Sequence, residues 1–77
     1  MTVLVIDDEP QIRRILRSAL QSPTTRVVEA ENGEVGLERA ATERPQLVVL
    51  DLGLPDMSGA AVCTALREWT RTPILVL

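Results

Sequence analysis

Two adjacent carboxylates, Asp7 and Asp8, close the apolar run Val3-Leu4-Val5-Ile6, and a third, Asp51, closes the run Leu47-Val48-Val49-Leu50. Short aliphatic runs of this kind read as strands buried on both faces of a parallel sheet. Laid side by side, such strands bring all three acids to one sheet edge, where ligands of open α/β sheets gather. Three carboxylates meeting there repel one another unless positive charge enters the cluster. A hard divalent cation bound through oxygen, Mg²⁺ above all, meets that need. Taken alone, Asp7-Asp8-Glu9-Pro10 would equally suit a solvated helix start, with its acids against the positive end of the dipole. The loop holding Asp51 turns the pair into a candidate pocket.

The elements that must hold these acids follow from the pattern around them. Thr2 to Ile6 forms a first strand. Asp8 can cap the helix that follows, Pro10 suits its first turn, and Ile12, Ile15, Leu16, Ala19 and Leu20 recur at helical spacing. Arg13, Arg14 and Arg17 then fall mainly on a solvated face. Ser22-Pro23-Thr24-Thr25 breaks the helix, and Arg26 to Ala30 reads as a shorter strand at an edge. Glu31-Asn32-Gly33 turns into a helix from about Glu34 to Glu43, with Val35, Leu37, Ala40 and Ala41 as apolar positions and Arg44-Pro45 as its stop.

Gln46 to Leu50 is the third strand, and Asp51-Leu52-Gly53-Leu54-Pro55-Asp56-Met57 leads to a helix starting near Ser58. There Ala60, Val62, Cys63, Leu66 and Trp69 give an apolar stripe, with Cys63 read as inert core and Trp69 as a packing anchor. Thr70-Arg71-Thr72-Pro73 ends the helix, and Ile74 to Leu77 opens a fourth strand. The order β-α-β-α-β-α-β, with crossovers of helical length, predicts parallel strands and right-handed connections.

The 77 residues allow at most one small domain, below the common size of roughly 100 to 150. A hydrophobic content of 45%, almost wholly aliphatic, supports a core, with Trp69 the only aromatic residue. The net charge of −3, without a basic stripe or aromatic platforms, argues against direct nucleic-acid contact by these residues. One cysteine and no histidine leave no disulfide or zinc site within one chain, so a reducing cytoplasm is the expected compartment. No run approaches the roughly 18 apolar residues of a membrane span, and the first residues enter a strand without a basic signal region. The expectation is a soluble, unprocessed protein. A nucleotide- or flavin-binding enzyme is disfavoured, because the first turn offers Asp-Asp-Glu where a phosphate cradle needs glycines and free amides.

Three segments together resemble the receiver domain of bacterial two-component response regulators: Val3-Leu4-Val5-Ile6-Asp7-Asp8-Glu9, Leu50-Asp51-Leu52-Gly53-Leu54-Pro55-Asp56-Met57-Ser58-Gly59, and Pro73-Ile74-Leu75-Val76-Leu77. Within that family Leu66-Arg67-Glu68-Trp69, ahead of Thr72-Pro73-Ile74, is most similar to the potassium-uptake (Kdp) regulators of the winged-helix OmpR/PhoB type. The resemblance implies a flavodoxin-like (CheY-like) doubly wound parallel sheet of order 2-1-3-4-5. It implies that Asp51 is a phosphoacceptor for a phosphohistidine on a sensor histidine kinase, not part of an enzyme. By the same analogy Asp8, Asp51 and the Gly53 backbone carbonyl ligate Mg²⁺, Asp7 acts through water, and Pro55 and Gly59 shape the loop. The arginines of the first helix would neighbour the kinase-docking surface.

Receivers of this family continue with a Ser or Thr just after the fourth strand, a fifth strand followed by Lys, and two further helices. The 77 residues therefore correspond to a receiver domain that is incomplete, lacking the fifth strand and last two helices, and any contact with DNA would belong to an effector outside these residues. The uncharged fourth strand would stand as an edge open to self-association. Two situations fit: the ordered part of a longer protein, or a fragment that associates to cover its apolar surface. The second would make the chain a protein-binding module independent of phosphorylation.

Overall fold

The structure, a computed structural model, describes all residues from Met1 to Leu77. Its elements alternate as β1 (Thr2–Ile6), α1 (Pro10–Leu20), β2 (Arg26–Ala30), α2 (Gly33–Glu43), β3 (Leu47–Leu50), α3 (Gly59–Arg67) and β4 (Ile74–Val76). The four strands form one sheet in the order β2-β1-β3-β4, every pair parallel. The chain thus winds outward in both directions from β1, which gives the doubly wound, flavodoxin-like arrangement and places β2 at an edge.

Successive side chains on each strand point to opposite faces, so the aliphatic runs feed two cores at once. On one face Leu4, Ile6, Val28, Ala30, Val48 and Leu50 pack with Ala40 of α2 and Val62 and Leu66 of α3. On the other, Val3, Val5, Val27 and Val49 lie under Leu16 and Leu20 of α1. The second layer is thinner. No residue of α1 is fully buried, and Ile15 and Ala19, expected on the inner stripe, are exposed.

Helix ends follow local chemistry. Asn32 and Ser58 cap α2 and α3, their side-chain oxygens accepting from the amides of Val35 (2.8 Å) and Ala61 (3.0 Å). Arg44 ends α2 in a left-handed conformation (φ 47°), where Pro45 forbids further helix. Asp8 does not cap α1, contrary to expectation: Glu9 occupies the cap position without a side-chain bond, and Asp7 turns to accept from the Glu9 amide at 2.9 Å. Burial decides this, since Asp7 is enclosed and must find a donor whereas Asp8 is exposed to water.

Two side-chain expectations also change. Arg13 and Arg17 do not form a solvated face with Arg14; both reach across β2 to Glu29, at 3.1 and 2.6 Å. Trp69 lies beyond the end of α3 and is half exposed, so it anchors no core. No helix is long and apolar enough to cross a membrane.

Candidate functional site

The sheet register explains why the acids meet. Ile6 of β1 pairs with Leu50 of β3, so the next residues, Asp7 and Asp51, leave adjacent strands at the same level. The ladder continues one step further, with the Asp51 amide donating to the Ile6 carbonyl at 2.9 Å and the Asp7 amide to the Ala30 carbonyl at 3.0 Å. Backbone geometry thus places both carboxylates over the carboxyl ends of central strands, and Asp8 follows by adjacency. One oxygen from each of Asp7, Asp8 and Asp51 lies within 4.8 Å of the others.

Asp7 is buried, Asp51 half-buried and Asp8 exposed, so the cluster opens to solvent on one side. Protein donors satisfy little of it. Asp7 accepts from the Glu9 amide, and Asp51 Oδ1 accepts from the Gly53 amide at 3.3 Å. The three ion pairs of the chain, Arg13–Glu29, Arg17–Glu29 and Arg26–Glu43, all lie elsewhere. Arg13 approaches the cluster but bonds the Asp7 backbone carbonyl through Nη1 (2.7 Å), while its Nε is committed to Glu29. No side-chain cation therefore pairs with any of the three carboxylates. Hard oxygen donors, free lone pairs and an open side fit a small divalent cation.

The loop after Asp51 places the remaining sequence-derived residues. Gly53 is exposed, adopts no positive φ, and a Cβ there would meet Asp51 oxygens only at ordinary contact distances of 3.9 and 4.0 Å. Side-chain crowding does not require glycine at that position, so any role of Gly53 is a backbone role. Gly59 is different: a Cβ would come within 2.6 Å of Leu52 Cδ2 and 2.9 Å of its Cα. Only glycine lets α3 start this close under the loop. Pro55, between Leu54 and Asp56, is exposed.

Sequence reasoning passed over Asp56 as an ordinary loop residue. Its two oxygens accept from the first amides of α2, Gly33 at 2.8 Å and Glu34 at 2.9 Å. These amides, that of Gly33 first, hold its carboxyl below the usual carboxylate range. The partners lie more than twenty residues away in sequence, so no local spacing signals them. The best-enclosed cavity, about 300 Å³, lies at the opposite end of the sheet, among Ala40, Arg44, Pro45, Leu66, Trp69 and Thr72. It is lined by no carboxylate, its polar side chains being Arg44, Thr70 and Thr72.

Comparison with known proteins bears on this geometry. The family model described as response regulator receiver domain matches residues 3–77. The chain is 49% identical over 75 residues to the KDP operon transcriptional regulatory protein KdpE of Escherichia coli, covering 97% of this chain and 33% of that protein. It therefore spans about a third of the length of the curated relatives it matches. Among solved structures, the response regulator protein TrrA of Thermotoga maritima in complex with Mg²⁺–BeF superposes with a TM-score of 0.88 at 36% identity, over 97% of this chain and 66% of that one. The complex of histidine kinase ThkA with TrrA gives a TM-score of 0.86 at 36% identity, with the same coverage.

Proposed function

The chain belongs to the response regulator receiver domain family, and from that premise we propose that Asp51 is its phosphoacceptor, taking a phosphoryl group from a phosphohistidine of a sensor histidine kinase. The observation that carries this reading is the meeting of Asp7, Asp8 and Asp51 at the carboxyl edge of the sheet without an ion-pair partner. In the transfer an Asp51 carboxylate oxygen attacks phosphorus; the new O–P bond forms as the P–N bond to histidine breaks, and the imidazole leaves with the electron pair and takes up a proton.

Phosphoryl transfer asks little covalent chemistry of the protein beyond positioning and charge stabilisation. The β1–β3 ladder fixes Asp51 relative to Asp7, and the open side of the cluster leaves room for the donor. Asp8 and Asp51 directly, Asp7 through water and the Gly53 carbonyl would hold Mg²⁺, which supplies the charge neutralisation that lets a carboxylate approach an anionic phosphoryl group. The Thermotoga relative's complexes with Mg²⁺–BeF and with a histidine kinase support both the metal and the partner. The transcriptional role in the names of the Kdp relatives supports control of a transcriptional effector outside these residues, and membership of the receiver family supports a cytoplasmic phosphoacceptor rather than an enzyme.

The test is an intact mass spectrum before and after incubation with acetyl phosphate and Mg²⁺, with Asp51→Asn in parallel. A gain of one phosphoryl group that the variant loses is the expected result. Persistence of the gain in Asp51→Asn would sink the assignment.

One observation favours a second reading, a self-associating or protein-binding module independent of phosphorylation. Leu75 and Val76 of the uncharged β4 are 55% and 44% exposed, and Leu77 just beyond it is 55% exposed. That reading expects association unaffected by Asp51→Asn and by metal chelation; dependence on either would count against it.

A further inference from the structure

We propose that Asp56 is a positioning residue for the acid cluster: by bonding the first two amides of α2 it clamps the loop that carries Asp51, and so sets how well the three carboxylates take up a divalent cation. The proposal rests on the reading of Asp51 as phosphoacceptor. Residues 52–58 form neither helix nor strand. Their other hydrogen bonds stay close in sequence: Gly53 to Asp51, the Gly59 amide to the Leu52 carbonyl, and the Ser58 cap of α3. The two bonds of Asp56 are the ones that tie this loop to another part of the fold.

Those bonds combine a carboxylate with the positive end of a helix, a charge-assisted arrangement stronger than a neutral hydrogen bond. The low position of the Asp56 carboxyl keeps it ionised through the neutral range. One residue on, Met57 occupies the space left by Gly33; a Cβ on Gly33 would fall 2.3 Å from Met57 Cγ. Loop and helix are therefore in contact as well as bonded.

The helix is itself fixed to the other half of the cluster. Gly36, one turn into α2, packs so closely on Ile6 that an added Cβ would lie 2.6 Å from Ile6 Cδ1. Ile6 directly precedes Asp7. The acids of β1 and of β3 are thus both referenced to the first turn of α2, one through Ile6 and Gly36, the other through Asp56. Asp56 is not a member of the cluster, so its effect on the site acts through the loop.

The experiment compares the unaltered chain with Asp56→Ala and Asp56→Asn in two measurements. The first is the Mg²⁺ concentration giving half-maximal phosphorylation by acetyl phosphate, together with the rate at saturating Mg²⁺. The second is hydrogen exchange at single amides. Asp56→Ala is expected to raise the half-maximal Mg²⁺ concentration about tenfold, the scale seen when groups orienting metal ligands are removed, with a smaller fall in the saturated rate. Asp56→Asn keeps one acceptor oxygen and is expected to fall between. The amides of Gly33, Glu34 and Gly53 should all exchange faster in Asp56→Ala.

An unchanged half-maximal Mg²⁺ concentration, or opening at Gly33 and Glu34 without Gly53, would reduce Asp56 to a helix cap and overturn the proposal. If the unaltered chain takes no phosphoryl group, the reading of Asp51 fails on its own. The clamp is then decided by Gly53 exchange, faster in Asp56→Ala supporting it and unchanged overturning it.

Discussion

Gly36→Ala sets two effects of known size against each other inside one helix. Alanine in a helix interior is favoured over glycine by about 1 kcal/mol, so propensity alone predicts stabilisation. Packing predicts the reverse, because the new Cβ would lie 2.6 Å from Ile6 Cδ1, 2.9 Å from Cγ1 and 3.0 Å from Cγ2. Three atoms of one side chain are involved, so a rotation of its tip does not clear the overlap. Ile6 is fully buried, among Leu4, Leu50 and their neighbours, and has nowhere to retreat.

Overpacking of this kind costs roughly 2–3 kcal/mol, leaving a net loss of about 1–2 kcal/mol. For a domain of this size that corresponds to a fall in Tm of roughly 5–15 °C. Ile6→Val removes Cδ1 but leaves the two closer-in carbons, so it should relieve part of the overlap. The double variant is expected to be more stable than the sum of the single effects by at least about 0.5 kcal/mol. Thermal and urea melts of the four proteins measure this directly. A Tm for Gly36→Ala at or above that of the unaltered chain, or strict additivity in the cycle, would refute the packing argument.

Glu29 is held below the usual carboxylate range by its hydrogen bond to Arg17 first, then by the charge of Arg17 and by Arg13. A group depressed on folding adds stability above its unfolded pKa and loses it as pH falls through its folded value. The unaltered chain should therefore exceed Glu29→Gln in Tm at pH 7 and lose that margin below about pH 4; a constant difference across this range would show that the pairs contribute nothing. Ser58→Ala removes the acceptor for the Ala61 amide and is expected to cost about 1 kcal/mol, or roughly 4–8 °C in Tm, by calorimetry. Millimolar Mg²⁺ should raise the Tm of the unaltered chain, since a ligand bound only by the folded state stabilises it, and Asp8→Asn should shrink the shift; an equal shift in both would place the cation elsewhere.

The strands were legible because burial on both faces leaves an unmistakable aliphatic run, and the acid cluster followed from the residues that close two of those runs. The inner face of α2 was legible only in part. Val35, Leu37 and Ala40 pack against the core as their spacing suggested, but Ala41 is exposed, and Gly33 and Gly36 are buried there instead. Close approach to Ile6 and Met57 demands missing side chains, and hydropathy assigns those no weight. Arg13 and Arg17 misled for a related reason: their heads travel far enough from α1 to reach Glu29, so the position of a Cα on the helix does not tell where the charge ends. Asp56 escaped because its partners are distant in sequence and close only after the sheet has formed.

The two margins of the sheet differ in kind. Along β2, Glu29 draws in two arginines on one face, and Arg26 joins Glu43 of α2 on the other, so paired charges flank that side on both faces. Along β4, aliphatic side chains stand beside open backbone, with Leu75 beyond the reach of α1. An incoming strand would meet paired charges at β2 but would bury aliphatic side chains at β4. The sheet is consequently lopsided: its β2 margin carries paired charge, and its β4 margin is the one on which a further strand would gain most.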